Sequence, residues 1–72
     1  MDTLATRLKE LRAERNVTQR QTAAAVGISE ISYQRYEYGR PPAYDKLIQL
    51  ADFFDVSLDY LVGRTDNPQI NR

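Results

Sequence analysis

The sequence predicts an all-α domain of five short helices. Apolar residues recur at helical spacing, residues that cap helix starts precede these runs, and glycine or proline follows their ends. No segment alternates apolar and polar residues for long enough to form a convincing strand. With 72 residues, the chain is expected to form one small domain over residues 1–64. Residues 65–72 are expected to be a polar tail or the start of a linker.

The first helix is identified by leucines at positions i, i+4 and i+7, the spacing of a surface helix: Leu4, Leu8 and Leu11. Asp2 or Thr3 can cap its start, and Asn16 can end it. Thr18 then opens a second helix through a capping box with Gln21. In such a box each side chain satisfies the other residue's backbone N–H.

A tight turn connects the second helix to a third. Ala23 is small where the two helices must touch, Gly27 suits the left-handed conformation that ends helices, and Ser29 is positioned to open the next helix. This spacing is how a helix-turn-helix presents its second helix to the major groove of DNA. The third helix is expected to run from about Ser29 to Tyr38, with Gly39 closing it.

Two further helices complete the predicted domain. Pro41 and Pro42 forbid continuation of the third helix and mark a rigid turn. The fourth helix is expected to place its large residues on one side: Tyr44, Leu47, Ile48, Ala51 and Phe54. Ser57 is a good cap for a short fifth helix, which Gly63 ends and whose apolar residues are Leu58, Leu61 and Val62. The remaining segment, RTDNPQINR, is polar and is expected to be frayed or to be the start of a linker.

The composition argues against catalysis, metal binding and membrane insertion. The chain has no cysteine and no histidine, which removes the commonest general base and the commonest metal ligand. We therefore expect no enzyme activity, no metal site and no cofactor. No apolar run approaches the roughly 20 residues of a membrane span. The N-terminus also lacks the continuous apolar core of a signal peptide, so the predicted localisation is cytoplasmic.

The net charge is zero, but the charge is unevenly distributed. Nucleic-acid binders usually carry a basic excess. Residues 1–42 hold seven basic and five acidic residues, a balance of +2, whereas residues 43–72 hold three and five, a balance of −2. The positive half contains the third helix, which gives slight support to DNA binding.

The ordered set of motifs resembles the phage-repressor-type helix-turn-helix family, the small DNA-binding domains of the Cro and repressor kind. The resemblance covers about residues 4–63 and rests on three stretches: RLKELRAERNVTQRQTAAAVGIS, YQRYEYGRPP and LIQLADFFDVSLDYLVG. It implies a five-helix fold, sequence-specific binding of double-stranded DNA and transcriptional regulation. It also implies a homodimer, at least on DNA, on a pseudo-palindromic operator. We expect a repressor, because occlusion of polymerase requires nothing beyond binding.

The third helix has two faces at helical spacing. The side expected to face the protein comprises Tyr33, Tyr36 and Glu37. The other side is suited to base edges, since Arg35 can make a bidentate contact to guanine, Gln34 to adenine, and Ile31 can touch a thymine methyl. Glu30 can accept from cytosine, or it can simply favour the helix N-terminus through the dipole. The alternative for Arg35 is an ordinary surface charge.

Four residues around the helix pair are candidates for phosphate contacts. The resemblance places Gln19 at the family's phosphate contact, where N–H groups at a helix start favour an anion. The alternative is a helix-favouring surface residue. Arg20 adjoins Gln19. Tyr38 can donate its hydroxyl to a phosphate or be an exposed aromatic without a partner, and Arg40 is a reasonable contact after the helix.

The resemblance further implies a structural ion pair between Arg12 and Glu37, which ties the first helix to the third. The dimer surface stays open: the candidates are Phe53, Leu58, Leu61 and Val62, with a core role favoured for Leu58 and Leu61. The alternative function is a protein-interaction module on the same fold, for example an antitoxin-like protein with an unknown protein partner.

Overall fold

The computed structural model describes residues 3–70, which contain five α-helices joined by short loops and no strand. The helices are α1 (Thr3–Arg15), α2 (Gln19–Ala25), α3 (Glu30–Glu37), α4 (Tyr44–Phe54) and α5 (Leu58–Leu61). The predicted all-α, five-helix class is confirmed. The proposed cap at Asp2 lies outside the described residues.

The starts of α2, α3 and α5 follow local sequence signals. Gln21 donates its backbone N–H to Thr18 Oγ1 at 3.0 Å, and Thr18 donates its own N–H to Gln21 Oε1 at 2.8 Å. The capping box of α2 is therefore complete. Ser29 and Ser57 cap α3 and α5, each accepting from the backbone N–H three residues on. These side chains satisfy N–H groups that the first turn of a helix cannot pair.

Residues in the left-handed conformation follow the helix ends. Asn16 (φ 56°) follows α1, Gly27 (φ 71°) follows α2, and Gly63 (φ 88°) follows α5. Asp55 (φ 56°) ends α4, which we did not expect because aspartate visits this region less readily than glycine. Gly63 is further restricted by α1, since a Cβ on it would lie 2.7 Å from Thr3 Cγ2.

All five helices contribute to the core, and its fully buried large side chains are Leu8, Tyr33, Leu50, Phe54 and Leu61. The expected inward side of α4 is partly wrong. Tyr44 is 69% exposed and Ile48 is 38% exposed, whereas Leu50, which we did not place there, is fully buried. The inward stripe of α4 is instead Leu47, Leu50, Ala51 and Phe54, the i, i+3, i+4, i+7 pattern of an amphipathic helix.

The segment after α5 contacts the domain, in contrast to the frayed tail that was one of the two expectations. Arg7 on α1 donates to the carbonyl of Thr65 at 2.7 Å and to Asp66 Oδ1 at 2.8 Å. Ser57 donates its backbone N–H to the carbonyl of Pro68 at 2.9 Å. Local sequence patterns do not reveal this docking, because the Arg7 contacts span 58 and 59 residues of the chain.

Candidate nucleic-acid interface

The second and third helices form a helix-turn-helix pair. Ala23 is 2% exposed where the helices pack, and its carbonyl accepts from the N–H of Ile28 at 3.0 Å, which closes the turn. Lys46 on α4 donates from Nζ to the carbonyl of Val26 at 2.9 Å. This contact places a cation at the C-terminal end of α2, where the helix dipole favours it. The role of Lys46 had no sequence signal, because it acts on a turn 20 residues away.

One face of α3 is buried and the other is open. Tyr33 is fully buried and Glu37 is 3% exposed. Tyr36 is half-buried, and its ring meets that of Tyr33 edge-on with centroids 6.2 Å apart. Along α3 and its C-cap residue, the exposed side chains are Ile31, Arg35 and Tyr38, whereas Glu30 and Gln34 are half-buried. The inward face is therefore as the helical spacing predicts, whereas only part of the expected outward face is fully exposed.

A buried ion pair anchors α3 to α1. Arg12 donates from Nε to Glu37 Oε2 at 2.5 Å and from Nη2 to Glu37 Oε1 at 3.1 Å. This is the bidentate geometry in which an arginine and a carboxylate interact most strongly. Burial by itself would raise the pKa of Glu37, but the hydrogen bond from Arg12 and further favourable contacts outweigh burial and lower that pKa. The same hydrogen bond raises the pKa of Arg12.

The hydroxyl of Tyr33 is buried beside this pair and makes no hydrogen bond with any residue in the range 3–70. Burial raises the pKa of the Tyr33 hydroxyl far above its ordinary value, and the negative charge of Glu37 raises it further. The hydroxyl is therefore neutral at every pH at which the domain is expected to function.

A polar chain extends from the ion pair to the outer part of α3. Gln19 donates from Nε2 to Glu37 Oε1 at 3.1 Å, and Gln34 donates from Nε2 to Gln19 Oε1 at 3.2 Å. Gln34 Nε2 also reaches Glu30 Oε2 at 3.4 Å. Arg20 Nε lies 3.7 Å from Glu30 Oε1. The structure thus brings together Gln19, Gln34 and Glu30, which we had expected to act separately on phosphates and bases.

The basic side chains of the predicted phosphate set lie at the surface. Arg20 has a side chain that is 86% exposed, and Arg40 is exposed directly after α3. Tyr38 is 83% exposed. Gln19 differs from these three, because it is half-buried and its amide is bonded within the protein. Its side chain is therefore less available to a phosphate than the sequence suggested.

A groove of about 710 Å³ opens between the end of α1 and the start of α2. Its polar lining comprises Arg12, Asn16, Thr18, Gln19, Arg20 and Glu30. We had considered Asn16 and Thr18 only as helix-boundary residues. Because they lie beside Arg20, Asn16 and Thr18 belong to the polar surface around the helix pair. The only sequence signal for this position was that both residues lie close to the start of α2.

Within residues 3–70, no group of three or more acidic side chains is arranged to hold a metal ion. Over the same range, every helix is too short or too polar to span a bilayer.

Comparison with known proteins identifies the family of this arrangement. The family model for helix-turn-helix proteins matches residues 8–61. The uncharacterised HTH-type transcriptional regulator YobD of Bacillus subtilis is 44% identical over 63 residues, which are 86% of this chain and 56% of that protein. The HTH-type transcriptional regulator AnsR of the same organism is 42% identical over 64 residues, covering 88% of this chain and 55% of AnsR.

A phage protein shows the same degree of similarity. The cryptic phage CTXphi transcriptional repressor RstR of Vibrio cholerae is 42% identical over 66 residues, covering 88% of this chain and 59% of RstR. The chain spans about half the length of the curated relatives it matches. Membership of a family of regulators also confirms the prediction that the chain is not an enzyme. The chain belongs to the helix-turn-helix family of DNA-binding transcriptional regulators, with a domain of the phage-repressor type.

Proposed function

We propose that this domain represses transcription by binding a specific sequence of double-stranded DNA through the outer face of α3. One observation carries the proposal: α3 is held on its inner side by a buried ion pair, while its outer side is open, with Ile31 64% exposed. A helix that is fixed on one side and free on the other suits insertion into the major groove, which is about 12 Å wide. Similarity to a phage transcriptional repressor supports repression as the outcome.

The exposed residues of α3 are assigned by the chemistry of base edges. Arg35 is proposed to contact guanine O6 and N7, and Ile31 a thymine methyl. Glu30 is proposed to accept from a cytosine amino group. One carboxylate oxygen of Glu30, Oε2, accepts from Gln34. The other, Oε1, lies 3.7 Å from Arg20 Nε. These assignments place sequence readout on a single helix.

Backbone phosphates are proposed to be contacted on both sides of that helix. Arg20 lies before it and Arg40 after it, and both are exposed. Tyr38 is proposed to donate its hydroxyl to a phosphate. Gln19 is proposed to contact a phosphate at the start of α2, although its amide already bonds within the protein. Contacts of this kind fix the register on DNA and carry no sequence information directly.

A homodimer is proposed to bind two half-sites about one helical turn apart, roughly 34–36 Å. A groove of about 310 Å³ between α4 and α5 is lined by five apolar residues and by three polar ones at its margin: Ile48, Ala51, Val56, Leu58 and Ile70, with Asp52, Ser57 and Asp59. No residue of α3 lines this groove, so a second copy can occupy it while α3 binds DNA. Leu61 is fully buried and belongs to the core. The cytoplasm, where bacterial DNA is accessible, is the proposed location.

In vitro selection from a random duplex library, followed by titration of the enriched pool, tests this function. The proposal predicts enrichment of a two-fold-related sequence with half-sites one turn apart. Sedimentation of the protein with the selected duplex should show two chains per duplex. Weak, salt-sensitive binding without enrichment would contradict specific readout, and a search for a protein partner would then follow.

A further inference from the structure

A series of hydrogen bonds joins the buried ion pair to the reading helix. Glu37 Oε1 accepts from Gln19 Nε2 at 3.1 Å, and Gln19 Oε1 accepts from Gln34 Nε2 at 3.2 Å. The second N–H of Gln34 is directed to Glu30 Oε2 at 3.4 Å. The series therefore begins at a carboxylate that is 3% exposed and ends on the side of α3 that faces outward.

The buried carboxylate fixes the direction of each donor in this series. An ionised carboxylate only accepts hydrogen bonds, and the lowered pKa of Glu37 keeps it ionised at neutral pH. Gln19 must therefore turn its NH₂ group towards Glu37, which leaves its carbonyl oxygen facing Gln34. The reverse orientation of Gln19 would bring two acceptor oxygens together. Gln34 is consequently required to turn its own NH₂ group inward.

This order leaves Gln34 with one free polar function. Its two N–H donors are used by Gln19 and Glu30, whereas Oε1 has no hydrogen bond to any residue in the described range 3–70. We propose that Gln34 reads DNA only as an acceptor, and so contacts the exocyclic amino group of adenine (N6) or cytosine (N4). Guanine and thymine present only acceptors and a methyl group at their major-groove edges, and the Gln34 oxygen repels such acceptors.

The inference rests on the proposed function and revises the bidentate adenine contact expected from the sequence. A bidentate contact needs an N–H of Gln34 for adenine N7 as well as the oxygen for N6. In the present arrangement both N–H donors of Gln34 are committed, one to Gln19 and one to Glu30. Gln19 and Glu37 are therefore positioning residues: they decide which atom of Gln34 faces the base.

Base analogues distinguish the two modes of contact. Selections with the wild-type protein and with Gln34→Met are compared first. The position read by Gln34 is the operator position at which Gln34→Met loses the wild-type base preference. Adenine at that position is then replaced by purine, which lacks the amino group, or by 7-deazaadenine, which lacks N7. Purine should weaken binding on the order of fivefold to tenfold, as expected for one neutral hydrogen bond. With 7-deazaadenine, affinity should stay within about twofold of adenine, since no N7 contact is made.

A second variant tests whether Gln19 sets this preference. Gln19→Met removes the nearer of the two acceptors of the Gln34 NH₂ group and leaves only the 3.4 Å contact with Glu30 Oε2, so Gln34 can rotate and donate to a base. Guanine at the same position should then bind within about threefold of adenine, whereas the wild-type protein should discriminate on the order of tenfold. Gln49→Met, on α4 and outside the series, is the matched control and should leave base preference unchanged. Thermal melts verify that each variant is folded.

Three results would overturn the inference while leaving DNA binding in place. The first is that purine and 7-deazaadenine weaken binding equally. The second is that Gln34→Met keeps the wild-type base preference at every operator position. The third is that Gln19→Met keeps the wild-type preference at the position read by Gln34. The absence of any enriched duplex for the wild-type protein would overturn the proposed function together with this inference. A loss confined to purine, with guanine tolerated only by Gln19→Met, supports it.

Discussion

Replacing Glu37 by glutamine should remove a large share of the domain's stability. The carboxylate is 3% exposed and accepts two hydrogen bonds from Arg12 and one from Gln19. Glutamine keeps the shape but loses the charge and turns an NH₂ group towards one of these donors. Removing one partner of a buried pair costs about 3–5 kcal/mol. Water reaches part of the Arg12 side chain, which is 22% exposed, so we expect about 3 kcal/mol, at the lower end of that range.

Urea denaturation measures this loss directly. A domain of this length has a total stability of about 4–11 kcal/mol, and a loss of about 3 kcal/mol is a substantial fraction of it. With a slope of about 1 kcal/mol per molar urea, the midpoint should fall by about 3 M. The matched control is Glu14→Gln, because Glu14 pairs with Arg15 at 3.7 Å while both side chains are largely exposed. That control should cost less than about 0.5 kcal/mol.

The same carboxylate predicts how stability depends on pH. The pKa of Glu37 is lowered from 4.5 on folding, so between the two pKa values the unfolded chain binds more protons. The contribution of Glu37 is therefore fully present above about pH 5 and is lost as the pH falls through the folded-state pKa. Glu37→Gln should flatten this acid limb. A loss under about 1 kcal/mol in urea, with an unchanged acid limb, would refute a buried pair and indicate a solvated one.

Three further predictions concern the fold and its DNA contacts. Gly63→Ala should cost more than Gly27→Ala in thermal melts, although both residues have positive φ, because only at Gly63 does a Cβ collide, 2.7 Å from Thr3. Equal costs would contradict the close contact. Tyr33→Phe should change the free energy of unfolding by less than about 1 kcal/mol, since the buried hydroxyl has no hydrogen bond to the described part of the chain; a larger loss would reveal a bond to the nearby carboxylate. Arg40→Ala should weaken binding to all duplexes alike and lower the slope of log affinity against log salt by about 1, and an effect confined to one base position would contradict a phosphate contact.

The sequence predicts the helices better than it predicts the orientation of α4. Caps such as Ser29 and Thr18 are local signals, since each satisfies N–H groups within three residues. The inward side of α4 depends on how the helix is rotated about its axis when it packs on the core. This rotation is ambiguous from the sequence, because α4 has apolar residues on more than one side. Ile48 and Leu50 are both apolar, yet only Leu50 is fully buried.

Long-range polar contacts explain most of what sequence reasoning missed at the candidate interface. The family resemblance supplied the Arg12–Glu37 pair, which spans 25 residues. Nothing local indicates that Gln19 bonds to both Glu37 and Gln34, because that arrangement exists only once α2 and α3 have packed. The docking of the tail by Arg7 is of the same kind.

Parallel in vitro selections with the wild-type protein and Arg35→Ala test most directly whether the outer face of α3 reads bases. Arg35 is exposed on that face, so Arg35→Ala should not disturb the fold. The remaining contacts should therefore still select an operator that is recognisably the same. A preference for guanine should disappear at one position per half-site, at a cost of about 1–3 kcal/mol there. Enrichment of the same sequence with the same preference by both proteins would contradict readout by α3.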